Sequence, residues 1–238
     1  SAKDYAWGGA KYNTGNGIIC IGVADFINSV SAIKHLVYDT KQISMSELLD
    51  ALACDFEGNE NVLKTCKEAP KFGNDDPRAD DFAAELFTYI ADEIESYRSK
   101  FGVMTPGILP VSGNTPFGVE VGALPSGRKA GKPLADGVSP NGGTDINGPS
   151  AVLKSVAKMP HDRFVQGTLL NMKLDPEMIS NENGVQQLMA MLKSLCTLGV
   201  YHVQFNVVDQ KKLIEAQKNP EEYKNLLVRV AGYTAFFV

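Results

Sequence analysis

Hydrophobic positions in the first hundred residues recur every three or four residues, which is the spacing of one face of an α-helix. The pattern predicts helices over residues 24–38, 45–55 and 79–97, and a shorter helix near residues 61–68. Ser44 precedes Glu47 by three residues, a capping-box pattern that predicts a helix start between them. The first helix carries its apolar residues at Phe26, Val30, Ile33 and Val37.

Strand patterns alternate with helix patterns in the second half of the chain. Strands are predicted over residues 107–112, 167–174, 201–208 and 226–230, and helices over residues 151–158, 185–198 and 210–217. This alternation favours an α/β fold with parallel strands. Neither an internal repeat nor a domain boundary is visible, which indicates one domain.

The strand at residues 201–208 alternates between apolar and polar side chains. His202, Gln204 and Asn206 share one face, and the intervening residues are apolar. The polar face either meets solvent or, in a barrel, lines a functional interior. The residues alone leave both interpretations open.

Residues 113–149 are rich in glycine and proline, which disfavour helices and strands. A loop of this length inside a compact domain is often functional, and a disordered linker is the alternative. Apolar residues spread through it favour an ordered loop; they include Phe117, Val119, Val121 and Leu124.

The composition excludes several classes of protein. The chain has 238 residues, 44% hydrophobic content and a net charge of −5, so it lacks the basic character of a nucleic-acid-binding protein. No apolar run is long enough to span a membrane, and the start does not resemble a secretory signal. The cysteines form no CxxC pair and have no neighbouring histidine, which disfavours zinc and indicates buried, reduced thiols in a cytosolic protein; they are Cys20, Cys54, Cys66 and Cys196.

The last twelve residues contain an arginine, a glycine and a tyrosine in the pattern R-V-x-G-Y-x-A, at Arg229, Gly232 and Tyr233. Alone, this segment predicts a strand, a bend at the glycine and a second apolar stretch. Other motifs precede it in order: GGAKYN at 8–13, Asp75-Asp76, GALPSGR at 122–128, PLADG at 133–137, GPSAVLKSV at 148–156, GTLLNMK at 167–173 and HVQFNVV at 202–208. Together these motifs resemble the C-terminal part of the glycyl radical enzymes of the pyruvate formate-lyase family.

The chemistry of that family explains why a glycine is needed. A Cα radical is stabilised by the flanking amide nitrogen and carbonyl when the centre can flatten, and only glycine lacks a Cβ that would crowd it. The radical must also be shielded from water and oxygen. The apolar neighbours Val230, Phe236 and Phe237 fit that requirement.

The resemblance implies a fold and a set of site residues. The fold is a ten-stranded α/β barrel with surrounding helices, of which residues 1–238 are the C-terminal part of a single domain, with the radical loop at 227–238. Gly232 stores the radical, and Arg229 and Tyr233 support the loop. Leu109 and Val111 line the substrate pocket by their position in the family, the alternative being a place in the barrel core.

The resemblance also implies an activity and its partners. An activating enzyme that uses S-adenosylmethionine and an iron–sulfur cluster removes a Cα hydrogen from Gly232, and the radical passes through a cysteine to a small-molecule substrate. The glycyl radical is a post-translational modification, and no organic cofactor or metal is bound for catalysis. A homodimer is implied, in the cytoplasm or inside a bacterial microcompartment, without nucleic-acid or membrane partners.

Two departures from the family limit what this chain does alone. The short Gly-Cys motif of the thiyl cysteine is missing, since neither Cys20 nor Cys196 has a matching context, and the chain stops soon after the radical motif. We therefore expect a fragment of a much longer protein, inactive by itself. HVQFN at 202–206 and VAGYTAFF at 230–237 resemble the lyase branch, which breaks a C–O, C–N, C–S or C–C bond. The alternatives are the acyltransferase, formate C-acetyltransferase, and a non-catalytic spare-part glycyl radical protein.

Overall fold

The computed structural model describes residues 2–4, 9, 16–99, 102–109, 112–207, 210–224, 227–230 and 233–236. Its first half is mainly helical, as the periodicity predicts. The helices are α1 (Val23–Ile33), continued by a π-helical turn (Lys34–Asp39), α2 (Met45–Ala53), α3 (Glu60–Glu68) and α4 (Pro77–Ser96). Ser44 and Glu47 form the predicted capping box at the start of α2.

Short strands and further helices make up the rest. The strands are β1 (Gly17–Ile19), β2 (Arg98–Ser99), β3 (Gly102–Val103), β4 (Thr105–Gly107), β5 (Leu169–Leu174), β6 (His202–Val207), β7 (Leu227–Val230) and β8 (Tyr233–Phe236). The helices are α5 (Asn114–Glu120), α6 (Pro149–Val156), α7 (Glu182–Leu198) and α8 (Gln210–Lys218), with 3-10 turns at His161–Arg163 and Pro176–Ile179. Gly199 ends α7 in the left-handed conformation, with φ of 74°.

Four of the strands run parallel and side by side. β1 pairs with β4, and β5 pairs with β6, both in parallel register. A parallel bridge between Ile108 and Thr168 joins the two pairs, giving the order β1-β4-β5-β6. The predicted parallel α/β arrangement is confirmed, although the strand expected at 107–112 begins two residues earlier and β4 ends at Gly107.

Two apolar clusters hold these elements together. The larger one lies between α1, α4, α6 and the strands, and contains edge-to-face contacts of Phe87 with Phe72 and with Phe164. The smaller one joins the end of the first helix to α2 and α3 around Leu48, Phe56 and other buried side chains.

The buried face of α1 is not the one that its large apolar residues suggest. Phe26 is 53% exposed, whereas Asp25 and Asn28 are buried beside Ile27. A helix that buries polar side chains needs hydrogen-bond partners for them, and these come from the glycine-rich stretch and from the backbone of Phe72.

The glycine-rich stretch 113–149 is ordered and packed, which excludes the disordered-linker interpretation. Residues 121–148 contain no helix or strand, as predicted, but the expectation was wrong for α5. Ala135, Val138 and Ser139 of this stretch are buried against the core.

Candidate functional site

The described parts of the predicted radical segment are β7 and β8, which pair antiparallel. Arg229 of β7 pairs with Thr234 of β8, and Val230 pairs with Tyr233. Gly232 lies outside the described residues, and for Arg229 and Tyr233 the structure describes the backbone alone. The three residues are thus close in the chain, while their side-chain contacts remain a prediction.

The two predicted pocket residues follow β4. Leu109 is half-buried, and its side chain lies at ordinary contact distance, 3.4 Å, from where a Cβ on Gly167 would be. Gly167 has a φ of +118°, in the region that favours glycine. Val111 lies outside the described residues.

One face of the β5–β6 pair is apolar and the other is polar. Leu170 and Met172 face the large cluster, together with Val203 and Phe205, and Leu174 is buried on the same face. The opposite face, which we call the β5–β6 polar face, carries a row of polar side chains. It consists of Asn171 and Lys173 on β5, and His202, Gln204 and Asn206 on β6. Asn171 is directly opposite Gln204, which is 9% exposed, so part of this face is closed to solvent within this chain.

Residues 135–139, which we call the wedge segment, run along β5 beyond the bridge to β4. The backbone N–H of Val138 donates to the Leu169 carbonyl over 2.9 Å, and the backbone N–H of Asn171 donates to Ser139 Oγ over 2.9 Å. Asn171 Nδ2 also donates to Asp136 Oδ2. The wedge segment thus takes the place of a neighbouring strand and brings a carboxyl group to the polar face.

Gly137 makes this close approach feasible. Its φ is +62°, and a Cβ there would lie 2.1 Å from the Leu169 carbonyl oxygen. A side chain at this position would force the wedge segment away from β5.

Buried polar side chains of α1 fix the wedge segment from the other side. Asp25 accepts hydrogen bonds from the backbone N–H of Ala135 and from Asn141 Nδ2. Asn28 donates to Asn141 Oδ1 over 2.7 Å and accepts from the backbone N–H of Phe72 over 2.8 Å. Burial raises the pKa of the Asp25 carboxyl, while both of its oxygens accept from N–H donors.

A single guanidinium organises the preceding part of the glycine-rich stretch. Arg128 donates to the carbonyl oxygens of a series of backbone groups around it, namely those of Gly118, Val121, Gly122, Lys132 and Pro133. Arginine suits this role because its fixed fork of N–H donors serves several acceptors at once.

A histidine supports the start of β5. His161 is buried, its Nδ1 lies 2.8 Å from Thr168 Oγ1, and its Nε2 lies 3.1 Å from the Val156 carbonyl oxygen. The carbonyl can only accept, so Nε2 carries the hydrogen and Nδ1 accepts from the threonine hydroxyl. Burial lowers the pKa of His161, in agreement with this neutral form.

Sequence reasoning missed the polar residues that anchor the wedge segment. The available signal was Asp25 and Asn28, three residues apart on one face of a helix that is otherwise rich in apolar residues. Among the residues that the structure describes, no group of three or more His, Cys, Asp or Glu side chains is arranged to hold a metal ion. None of the described helices is long and apolar enough to cross a membrane.

Comparison with known proteins matches each half of the chain to a protein family. Residues 1–118 match the family described as pyruvate formate lyase-like, and residues 134–238 match the glycine radical family. Trans-4-hydroxy-L-proline dehydratase of Clostridioides difficile is 41% identical over 237 residues, which cover 99% of this chain and 30% of that protein. Isethionate sulfite-lyase of Nitratidesulfovibrio vulgaris is 39% identical over 221 residues, which cover 92% of this chain and 27% of that protein.

Solved structures agree with these matches. The glycerol-bound form of the B12-independent glycerol dehydratase of Clostridium butyricum has a TM-score of 0.88 and 44% identity, over 96% of this chain and 29% of that one. The chain thus spans less than a third of the length of these relatives. The two family matches and these relatives show that the chain belongs to the glycyl radical enzymes of the pyruvate formate-lyase family.

Proposed function

We propose that this chain is the radical-carrying part of a glycyl radical lyase and that Gly232 holds the unpaired electron. The observation that carries the proposal is the match of residues 134–238 to the glycine radical family, within which Gly232 occupies the glycine of R-V-x-G-Y-x-A. The pairing of Val230 with Tyr233 supports it, since positions 231 and 232 connect these two paired residues. Arg229 and Tyr233 would support the radical loop, 227–238, from the paired strands β7 and β8.

The proposed reaction passes radical character from one site to the next by transfer of single hydrogen atoms, with one bond-breaking step on the substrate. A radical S-adenosylmethionine activating enzyme removes a Cα hydrogen from Gly232. The glycyl radical then takes the hydrogen of a cysteine thiol, and the thiyl radical takes a hydrogen from a small substrate. The substrate radical loses its leaving group, and the product radical recovers a hydrogen from the thiol.

The cysteine of this relay is assigned to a part of the longer protein that this chain does not contain. None of the four cysteines stands in the family's Gly-Cys motif. Cys66 is fully buried, whereas Cys54 and Cys196 are exposed, so the prediction of buried thiols was wrong for these two. We therefore expect this chain alone to be inactive. The four parallel strands β1-β4-β5-β6 would form one arc of a ten-stranded barrel, within a single domain that includes residues 1–238.

The proposed substrate is a small metabolite that loses a group next to a radical carbon, through a C–O, C–N, C–S or C–C bond. The names of the relatives support this class, because they are dehydratases and a sulfite-lyase. Leu109 and Val111 are proposed pocket residues, and half-burial of Leu109 is compatible with that place. The acyltransferase alternative would show two adjacent cysteines in the active loop of the full-length sequence. The resemblance along the whole chain disfavours a spare-part protein.

Electron paramagnetic resonance of the activated full-length protein tests the proposal. We expect a doublet, because the unpaired electron couples to the remaining Cα hydrogen of glycine. Gly232→Ala should abolish the doublet, whereas Gly122→Ala should retain it, because a Cβ on Gly122 meets nothing within 4 Å. Exposure to air should then cleave the activated chain at position 232, as measured by mass spectrometry. A doublet that persists in Gly232→Ala would refute the assignment.

A further inference from the structure

Two buried oxygen atoms on the contact between the wedge segment and β5 have no donor among the described residues. They are Asp136 Oδ1 and Asn171 Oδ1. Both belong to groups that already share one hydrogen bond, from Asn171 Nδ2 to Asp136 Oδ2. The deficit therefore belongs to one carboxyl–amide pair.

The protonation state of Asp136 decides whether this deficit exists. An ionised carboxylate can only accept, and the amide oxygen of Asn171 can only accept, so an ionised Asp136 leaves both oxygens without a hydrogen. Buried acceptors without a donor are destabilising and rare. One proton on Asp136 Oδ1 would serve both oxygens, because the new O–H group would donate to Asn171 Oδ1.

We propose that Asp136 is a neutral carboxylic acid in the folded protein, that it donates a hydrogen bond to Asn171 Oδ1, and that the wedge segment is fastened to β5 through this shared proton. The acid and the amide then form a two-bond ring, with N–H to oxygen on one side and O–H to oxygen on the other. Ionisation of Asp136 removes the second bond and loosens the wedge segment. This proton-dependent clamp is independent of the proposed radical chemistry.

The charged groups around the pair permit a neutral acid. Asp25 on α1 accepts from the backbone N–H of Ala135, the residue before Asp136, and the wedge segment brings no basic side chain to the pair. On the polar face, Lys173 lies two positions beyond Asn171, and His202 lies opposite Leu169. Arg128 is engaged with backbone carbonyls. None of the ion pairs formed within the described residues involves Asp136.

Burial of the Asp136 carboxyl group also favours its neutral form. Burial raises the pKa of Asp136, and the hydrogen bond from Asn171 opposes this only in part. A raised pKa in the folded state means that the folded protein binds this proton more tightly than the unfolded chain does. The stabilisation is therefore complete below the pKa of an unfolded aspartate and is lost as the pH rises through the folded-state pKa.

Two substitutions in the full-length protein distinguish a neutral acid from a carboxylate. Asp136→Asn replaces the O–H donor by an N–H donor, so we expect folding and thermal stability at neutral pH to be retained. Asp25→Asn is the matched control: both Asp25 oxygens accept from N–H groups, so an amide nitrogen there would face a donor and Tm should fall. The infrared difference spectrum of wild type minus Asp136→Asn should contain a protonated-carboxyl band at neutral pH. A carboxylate band in its place, or a loss of Tm in Asp136→Asn equal to that in Asp25→Asn, would overturn the proposal.

A measurement on the wild-type protein covers the case in which Asp136→Asn does not fold. Hydrogen-exchange protection of a peptide that contains Val138, corrected for the intrinsic pH dependence of exchange, should fall as the pH rises. The limiting slope is about tenfold per pH unit between the pKa of an unfolded aspartate and the folded-state pKa, because opening is coupled to the loss of one proton in that range, and protection should level off above the folded-state pKa. Peptides from α2 should keep their protection over the same range. Constant protection of the Val138 peptide up to the pH at which the whole protein unfolds would contradict the clamp.

Discussion

The α2–α3 helix pair and the glycine-rich segment 121–148 both pack against the helix that begins at Val23, but different forces hold them. The helix pair is held by apolar contacts around Leu48, Phe56 and Cys66, with a local capping box at its start. Segment 121–148 has no regular secondary structure, and side chains more than a hundred residues away in sequence bond its backbone and Asn141. The helix pair is held by apolar contacts that repeat along its helices, whereas segment 121–148 adds hydrogen bonds from individual polar atoms to the core contacts of Ala135 and Val138.

This difference predicts where single substitutions do damage. In the helix pair the stabilisation is spread over many apolar contacts, so one polar change at its surface should have a small and local effect. In segment 121–148 each hydrogen bond has no substitute, because no helix or strand ladder supports the backbone. The loss of one contact should therefore loosen the segment over several residues.

Gly137→Ala should produce the largest effect. The new Cβ would lie 2.1 Å from the Leu169 carbonyl oxygen, at a φ of +62° that alanine disfavours. We expect a loss of about 4 kcal/mol in the local stability of the wedge segment, measured as hydrogen-exchange protection of peptides over 134–141. Gly142→Ala is the control, because a Cβ there meets nothing within 4 Å. Equal protection in the two variants would show that the wedge segment does not need its close contact with β5.

Asn28→Ala should have an intermediate effect at long range. It leaves the buried N–H of Phe72 and the Oδ1 of Asn141 without their partner, at a cost of about 2 kcal/mol. The loss of exchange protection should appear at residues 136–145 as well as in α1. Asn61→Ala, at an exposed position of α3, should change protection by less than about 0.5 kcal/mol. If the Asn28 effect stayed within α1, the polar network would not anchor the segment.

Sequence patterns predicted the regular helices and strands better than the contacts of segment 121–148. Periodicity predicted α2, α3 and α4 within a few residues, because this signal is local. The sequence also predicted strands at β5 and β6 and a parallel arrangement, whereas their direct pairing came from the structure. The apolar pattern of α1 indicated that the face with Phe26 is buried, whereas Phe26 is exposed and the buried anchoring residues are Asp25 and Asn28. Their partners lie in a segment whose path is set by positive-φ glycines and side-chain bonds, which leave no periodic trace. For Gly232 the motif alone carries the prediction, because this position lies outside the described residues.

Ser44→Ala should cause the smallest loss of stability, and it tests the α2–α3 helix pair. Ser44 Oγ accepts from the backbone N–H of Glu47 over 3.1 Å, and a Glu47 carboxylate oxygen accepts from the backbone N–H of Ser44 over 2.7 Å. Removing the hydroxyl should cost about 1 kcal/mol, confined to the first turns of α2, because the apolar cluster beneath is unchanged. Ser46→Ala, an exposed position in the same turn, is the matched control. Loss of exchange protection in segment 121–148 of the Ser44→Ala variant would show that the two regions are coupled, and the contrast between local and long-range stabilisation would then be wrong.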